Sequence, residues 1–126
     1  MGKEYLIDTN SVIDYLDNKL PPKANELIEG ASSKISVITR IELLSWPGAT
    51  NTQTNILLNF IGESEIYHLE ESVILKTIEI RKTYRVKLPD AIIAATALIN
   101  NFSLVTRNTN DFDRIEQLEV INPHSF

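Results

Sequence analysis

The feature that most constrains this chain is a nearly uninterrupted apolar run, AIIAATALI, from Ala91 to Ile99. A helix that is apolar on almost every side belongs inside a protein rather than on its surface. Pro89 precedes the run and suits the start of a helix, and the carboxylate of Asp90 is favoured by the unpaired N–H groups of a first turn. The sequence therefore predicts a buried helix with an acid at its mouth.

A short strand follows this helix. Asn100 and Asn101 interrupt the apolar run, residues 102–105 favour a strand, and TRNTND then turns back towards the solvent. Asp111 thus comes closely after a buried strand. Ligands of open α/β sheets gather outside the carboxyl ends of strands, so the position of Asp111 is a first indication of a site.

Length and composition restrict the class of protein. A chain of 126 residues, of which 43% are hydrophobic, can build one core, and we expect a single domain over residues 1–126. The absence of cysteine excludes disulfides, thiolate catalysis and cysteine-ligated zinc. No signal peptide or membrane span is recognisable, so a cytoplasmic protein without a membrane partner is expected.

Charge is distributed unevenly along the chain. The formal net charge of −5 argues weakly against a nucleic-acid surface. The segment from Lys76 to Lys87 nevertheless holds five basic residues and only one acid, Glu79. Such a segment is either the solvated face of a helix or a cationic surface for a phosphate backbone.

Strand and helix patterns alternate along the whole chain. This alternation predicts an α/β fold with a doubly wound sheet, mostly parallel central strands and helices on both faces. Residues 122–126 form an irregular tail. The other β-prone runs lie at 4–7, 34–37, 65–68 and 119–121, and helical patterns follow residue 8 and cover 23–29 (stopped by Gly30), 38–45, 51–60 and 71–85.

Amphipathic spacing predicts which side of each helix is buried. In the helix after Asp8, Val12, Ile13 and Leu16 are predicted to face the core, with Asp14 and Asp17 in the solvent. The helix over 71–85 is predicted to bury Val73, Ile74, Ile78 and Ile80.

Glu42 has an unusual predicted position. Ile38, Ile41 and Leu44 define the apolar face of its helix, and Glu42 lies about 40° from Ile38 at 100° per residue. A carboxylate beside a buried face is costly unless something pairs with it. We therefore expect Glu42 to find a partner in another part of the chain.

Four acids can converge at one edge of the predicted sheet. Asp8 follows the first strand, Glu42 borders an apolar helix face, Asp90 starts the buried helix and Asp111 follows a central strand. Close carboxylates repel one another by roughly 4 kcal/mol per pair at 4 Å and an effective dielectric constant near 20. A divalent cation would relieve this repulsion, and oxygen ligands without Cys or His select Mg²⁺ or Mn²⁺ over zinc.

Each acid also has a purely structural interpretation. Asp8 would cap a helix, Glu42 would be an ordinary helix charge, Asp90 would interact with the helix dipole and Asp111 would belong to a turn. The joint arrival of all four at one edge favours the metal site over these separate explanations.

Three segments resemble the motif blocks of a known family. LIDTNSVIDYL near the start, SVITRIELL in the middle and LPDAIIAATALINNFSLVTRNTNDF near the end are similar, in this order and spacing, to the PIN-domain ribonucleases, particularly VapC-type toxins of toxin–antitoxin pairs. The resemblance covers nearly the whole chain. It implies a PIN-like fold, Mg²⁺- or Mn²⁺-dependent endonucleolytic cleavage of RNA, inhibition by a cognate antitoxin protein, and a homodimer.

The resemblance also implies roles for individual residues. The catalytic and metal-binding acids of the family fall on Asp8, Glu42, Asp90 and Asp111, with Asn10 and Thr106 as groups that hold a ligand or a water molecule. Asp113 is a possible substitute for the fourth acid, although the phenylalanine directly after Asp111 favours Asp111.

Two other functions are compatible with parts of the sequence. Asp8 as a nucleophile would suit a haloacid-dehalogenase-like phosphatase, but Asn10 stands where such enzymes have a second acid, and no later GDxxxD-like block exists. The other alternative is a binding module that keeps the PIN fold without the reaction. Retention of all four acids favours the active enzyme.

Overall fold

Five short runs rich in β-branched and other apolar residues pair side by side in one sheet. The structure is a computed structural model that describes residues 3–29 and 33–126. The predicted helix stop at Gly30 lies outside these residues. Within them the strands are β1 (Tyr5–Ile7), β2 (Lys34–Ser36), β3 (Glu65–Tyr67), β4 (Ser103–Val105) and β5 (Val120–Ile121).

All strand pairs of the sheet are parallel, in the order β3-β2-β1-β4-β5. β1 is therefore central, and the chain winds outwards from it in both directions. The order reverses between β1 and β4, where Ile7 lies opposite Val105. Ligands of doubly wound sheets bind outside the carboxyl ends of the strands at this point.

Helices cover both faces of the sheet, as predicted. Successive side chains of a strand point to opposite faces, so Leu6 and Leu104 enter the core under one group of helices, while Ile7 and Val105 enter the core under the other. The helices are α1 (Thr9–Leu16), α2 (Pro22–Glu29), α3 (Val37–Leu44), α4 (Asn51–Gly62), α5 (Glu71–Thr83), α6 (Leu88–Asn100) and α7 (Thr109–Phe112), followed by a 3₁₀ turn (Pro123–Ser125).

α6 is the predicted buried helix. Its residues 91–97 are all buried, and α5 and α6 share one core with Leu6 and Leu104. Pro89 and Asp90 lie in its first turn. Asn101 ends it in the left-handed conformation, with φ of 58°, which asparagine tolerates better than most residues. Within the described residues, no helix is long and apolar enough to cross a membrane.

The predicted buried faces of α3 and α5 are wrong in part. α3 buries Thr39 and Leu43 and exposes Ile41 and Leu44, and α5 exposes Ile78. In both helices a threonine occupies the buried stripe. The Thr77 hydroxyl donates to the Val73 carbonyl at 2.7 Å, which removes the cost of burying it. An apolar pattern alone therefore assigned the inward side to the wrong residues.

α1 also differs from its predicted pattern. Val12 is buried and Asp17 is exposed, as predicted, but Ile13 is exposed and Asp14 is only 2% exposed. The tail is more ordered than expected, because its 3₁₀ turn places Pro123 in the interior. A hydrogen bond between Asp14 and His124 joins the buried carboxylate of α1 to this turn.

Candidate active site

The candidate site lies where the two central strands end. Asp8 directly follows β1, and Thr106 directly follows β4. The Asp8 backbone N–H donates to the Val105 carbonyl at 2.9 Å, which extends the pairing of these strands to the residue that bears the carboxylate. The sheet itself thus brings together two parts of the chain almost a hundred residues apart.

Asp8 is buried and held by three donors. Its Oδ1 accepts from the Thr9 backbone N–H at 2.8 Å, so Asp8 caps α1, as its structural interpretation predicted. Its Oδ2 accepts from the Thr106 hydroxyl at 2.8 Å and from Asn10 Nδ2 at 3.1 Å. Asp8 is only 5% exposed, and this burial raises its pKa despite the three donors.

Asn10 and Thr106 connect Asp8 to the loop after β4. Asn10 Nδ2 also donates to Thr106 Oγ1 at 3.1 Å, and Asn10 Oδ1 accepts from the Arg107 backbone N–H at 3.0 Å. Thr106 Oγ1 in turn accepts from the Asn108 backbone N–H at 3.1 Å. The two side chains thus orient the carboxylate of Asp8 and fix the loop around it.

The negative charges of the other three acids affect the ionisation of Asp90. The pKa of Asp90 is raised to about 6, first by burial and then by the negative charges of Asp8, Asp111 and Glu42, while Lys87 lowers it. Asp8, Asp111 and Glu42 therefore lie within electrostatic reach of Asp90. Four carboxylates gathered in this way favour the binding of a cation.

Glu42 is exposed, contrary to the prediction that it borders a buried face. The reason is that Ile41 is 55% exposed, so this side of α3 is open to solvent. The expected partner from another part of the chain is Thr9, whose hydroxyl donates to Glu42 Oε1 at 2.6 Å. Because Thr9 is next to Asp8, this bond ties α3 to the start of α1 beside the site.

Asp111 and Asp113 occupy different positions. Asp111 lies in the first turn of α7, a short helix where the sequence predicted only a turn, and its charge raises the pKa of Asp90. Asp113 is the exposed residue that ends α7, and its charge is not among those that shift the pKa of Asp90. Of these two acids, Asp111 is therefore the one whose charge acts on Asp90.

The donor set fits a hard divalent cation. Its four carboxylates offer oxygen atoms only, as Mg²⁺ and Mn²⁺ prefer. Within residues 3–29 and 33–126, no three acidic or histidine side chains stand close enough to form a ready-made metal-binding group. Support for metal binding therefore comes from the action of three acidic charges on Asp90, and not from a tightly packed cluster of ligands.

Sequence reasoning missed a second polar cluster beside the site. Asp14 was predicted to be solvated, but its carboxylate oxygens accept from Arg107 Nη1 at 3.0 and 3.1 Å, and its Oδ2 lies 2.8 Å from His124 Nε2. The partners are 93 and 110 residues from Asp14 in the chain. No pattern within α1 indicates such partners, and TRNTND was interpreted only as a turn.

An apolar groove runs beside the acids between α1, α3 and α4. Its volume is about 300 Å³. Ile13, Trp46 and Ile56 line it and are exposed, with Trp46 51% exposed, whereas Leu43 and Leu57 form its buried floor. Glu42 lies on the border of this groove, which connects it to the candidate site. Exposed apolar surface of this kind is typical of a contact with another protein.

Comparison with known proteins identifies the family. Residues 5–118 match the model of the PIN domain. The chain is similar to Ribonuclease VapC1 of Methanocaldococcus jannaschii, with 30% identity over 118 residues that cover 89% of this chain and 81% of that protein.

Solved structures share the fold over nearly the full length. A toxin–antitoxin complex from Klebsiella pneumoniae contains a chain that is 28% identical, with a TM-score of 0.77 and coverage of 95% of this chain and 98% of that one. DNA-bound VapBC from Salmonella typhimurium contains a chain that is 26% identical, with a TM-score of 0.80 and coverage of 94% and 97%. The chain belongs to the PIN domain family, and VapC-type proteins are among its relatives.

Proposed function

We propose that this protein is a metal-dependent endoribonuclease that hydrolyses RNA phosphodiester bonds and acts as the toxin of a toxin–antitoxin pair. One observation carries the proposal: burial, and then the negative charges of Asp8, Asp111 and Glu42, raise the pKa of Asp90 beside the end of β1 that Asp8 follows. A relative described as a ribonuclease and structural neighbours described as toxin–antitoxin complexes support the same function.

The proposed roles follow from the contacts. Asp8, Glu42, Asp90 and Asp111 act as the catalytic acids and would hold Mg²⁺ or Mn²⁺. When bound, such an ion lowers the pKa of an attacking water molecule and stabilises the departing 3′ oxygen. Asn10 and Thr106 donate to Asp8 and keep its carboxylate oriented. Because Asn10 is a donor here and not a second acid, the site does not resemble that of an aspartyl phosphatase.

The cationic segment 76–87 is proposed to bind the RNA backbone. Arg81, Lys82 and Arg85 are exposed, and the charge of Lys87 reaches Asp90. Lys76, by contrast, pairs with Glu79 at 3.4 Å, as expected of a solvated helix face. The end of the segment nearest α6 is therefore best placed to contact phosphates beside the acids, and recognition of single-stranded loops of structured RNA would rely on shape and these cations.

A cognate antitoxin is the proposed protein partner. The apolar groove between α1, α3 and α4 has exposed Trp46, Ile13 and Ile56 on its walls and Glu42 on its border. An antitoxin segment with apolar side chains would fill the groove, and an Arg or Lys of that segment would bind the neighbouring carboxylates. We further propose that the protein forms a homodimer of single-domain chains, which sedimentation of the purified protein tests.

The reaction is tested with purified protein and structured RNA. We expect cleavage in Mg²⁺ or Mn²⁺, loss of cleavage with a chelator, and loss of cleavage in Asp90→Ala. Asp113→Asn is the matched control, because Asp113 is an exposed acid near the site that does not contribute to the pKa of Asp90. Sequencing the 5′ ends of cellular RNA after induction then identifies the cleaved RNA.

A PIN-fold binding module without catalysis is the alternative. It would bind Mg²⁺ and RNA and give the same 5′-end profile for the wild type and Asp90→Ala. That result, with Mg²⁺ plentiful, would reject the nuclease in favour of the binding module.

A further inference from the structure

Asp14 is a buried carboxylate outside the group of four acids. It is 2% exposed, although its neighbour on α1, Ile13, is exposed. Transfer of an unpaired carboxylate from water into a protein interior is strongly unfavourable, so a buried acid is normally paired and hydrogen-bonded. Asp14 meets this requirement with Arg107 and His124.

Arg107 contributes both its side chain and its backbone to this region. One nitrogen of its guanidinium, Nη1, lies within 3.1 Å of both carboxylate oxygens of Asp14. Its backbone N–H donates to Asn10 Oδ1 at 3.0 Å. Arg107 is thus anchored to α1 at two points, Asn10 and Asp14, one turn apart on the same helix.

The residues on either side of Arg107 touch the site. Thr106 donates to Asp8 Oδ2, and the Asn108 backbone N–H donates to Thr106 Oγ1. Loop 106–108 therefore has its backbone held by Asn10 and its central side chain held by Asp14. If the second anchor is lost, the Thr106 hydroxyl loses a constraint on its approach to Asp8.

We propose that Asp14 is a positioning residue that, through Arg107, holds loop 106–108 so that Thr106 and Asn10 orient the carboxylate of Asp8. This proposal rests on the nuclease function proposed above. It assigns a role to a buried charge that contacts none of the four acids directly in the hydrogen bonds described. It also links the C-terminal turn to the site, because His124 shares Asp14 Oδ2 with Arg107.

The test compares Asp14→Asn with Asp17→Asn. Both changes remove one negative charge from the α1 region. Asp17 is the control because it is exposed and its Oδ2 lies 3.8 Å from Nζ of Lys19, which is also exposed. Amide hydrogen exchange is measured for the Arg107 N–H and for buried amides of α6. In Asp14→Asn, but not in Asp17→Asn, we expect the Arg107 amide to exchange roughly tenfold faster while the α6 amides are unchanged.

RNA cleavage gives the second readout. Loss of a group that orients a metal ligand typically lowers activity by roughly 10- to 100-fold. We expect kcat of Asp14→Asn to fall by about tenfold with KM for RNA within about twofold, since the RNA surface is untouched. Asp17→Asn should retain the wild-type kcat. If Asp14→Asn does not fold, Arg107→Lys is measured instead, because it leaves Asp14 beside a cation but replaces the guanidinium.

The two readouts separate the two proposals. Unchanged exchange of the Arg107 amide, or a wild-type kcat in a variant with faster exchange, overturns the positioning role. Absence of cleavage by the wild-type protein with Mg²⁺ overturns the nuclease function, and the exchange measurement still decides whether Asp14 holds the loop.

Discussion

At the scale of single residues, burial and then the charges of Asp8, Asp111 and Glu42 oppose the ionisation of Asp90 and raise its pKa. Its pKa is raised to about 6, so the folded state binds this proton more tightly than the unfolded chain, where an aspartate titrates near 3.9. Stability is therefore lost as pH rises from about 4 through about 6. The ionised Asp90 opposes folding at neutral pH.

Asp90→Asn should accordingly stabilise the metal-free protein at pH 7. The shift alone would correspond to about 3 kcal/mol, but Asp90 is partly exposed and solvent screens its neighbours, so we expect a gain of about 1 kcal/mol. Urea unfolding of the wild type and the variant in the presence of a chelator measures this gain. The gain in unfolding free energy should disappear at pH 3.5. Asp113→Asn should change the unfolding free energy little at either pH. An equal gain at both pH values would contradict the electrostatic cause.

Asp8 should respond in the opposite direction. Repulsion among the acids would suggest that its removal is harmless, but Asp8 caps α1 and accepts from Thr106 and Asn10. Asp8→Ala removes the cap and leaves the buried Thr106 hydroxyl without its acceptor, and we expect a loss of about 1–3 kcal/mol in unfolding free energy. The urea midpoint measures this loss, with Thr50→Ala, an exposed cap of α4, as the control. A midpoint no lower than that of the control would mean that relief of repulsion outweighs the lost bonds.

At the scale of elements, the sequence predicted α6 and the strands well because their signals are local. The apolar run over 91–99 and the short β-prone segments needed no knowledge of distant contacts. The inward faces of α1, α3 and α5 were harder to predict from the sequence. Asp14 and Thr39 are polar residues whose burial depends on partners from other elements, respectively Arg107 and Thr9. Periodicity of apolar residues carries no information about such partners.

The exposed side of α3 gives a prediction about the antitoxin. Ile41 and Leu44 are exposed, and the apolar groove that Leu43 of the same helix lines holds the exposed Trp46. Trp46→Glu should place a charge in this apolar contact and reduce co-purification with the proposed cognate antitoxin by at least about tenfold. Ile99→Glu, at an exposed position on α6, is the control. Equal losses in both variants would show that the groove is not the contact.

At the scale of the whole molecule, the site depends on the reversal of strand order. Asp8 and Thr106 meet because β1 and β4 are neighbours. The alternation of strands and helices predicted a doubly wound, mostly parallel sheet, but not which strands are neighbours. Asp8, Asp90 and Asp111 were selected as candidates because each stands at a recognisable boundary between elements, and Glu42 because it was predicted to border an apolar helix face. The bond of His124 to Asp14 could not be predicted, because it joins the first helix to a tail with no pattern of its own.

The net charge of −5 and the gathered acids together predict that a divalent cation stabilises the whole fold. A ligand that binds only the folded state adds RT ln(1 + [L]/Kd), which is about 1.4 kcal/mol at ten times Kd. For a domain of this size that corresponds to a rise in melting temperature of roughly 3–7 °C. Thermal melts with and without millimolar Mg²⁺ measure the shift. We expect it in the wild type and in Asp113→Asn but not in Asp90→Asn, and an unchanged melting temperature in the wild type would contradict a carboxylate metal site.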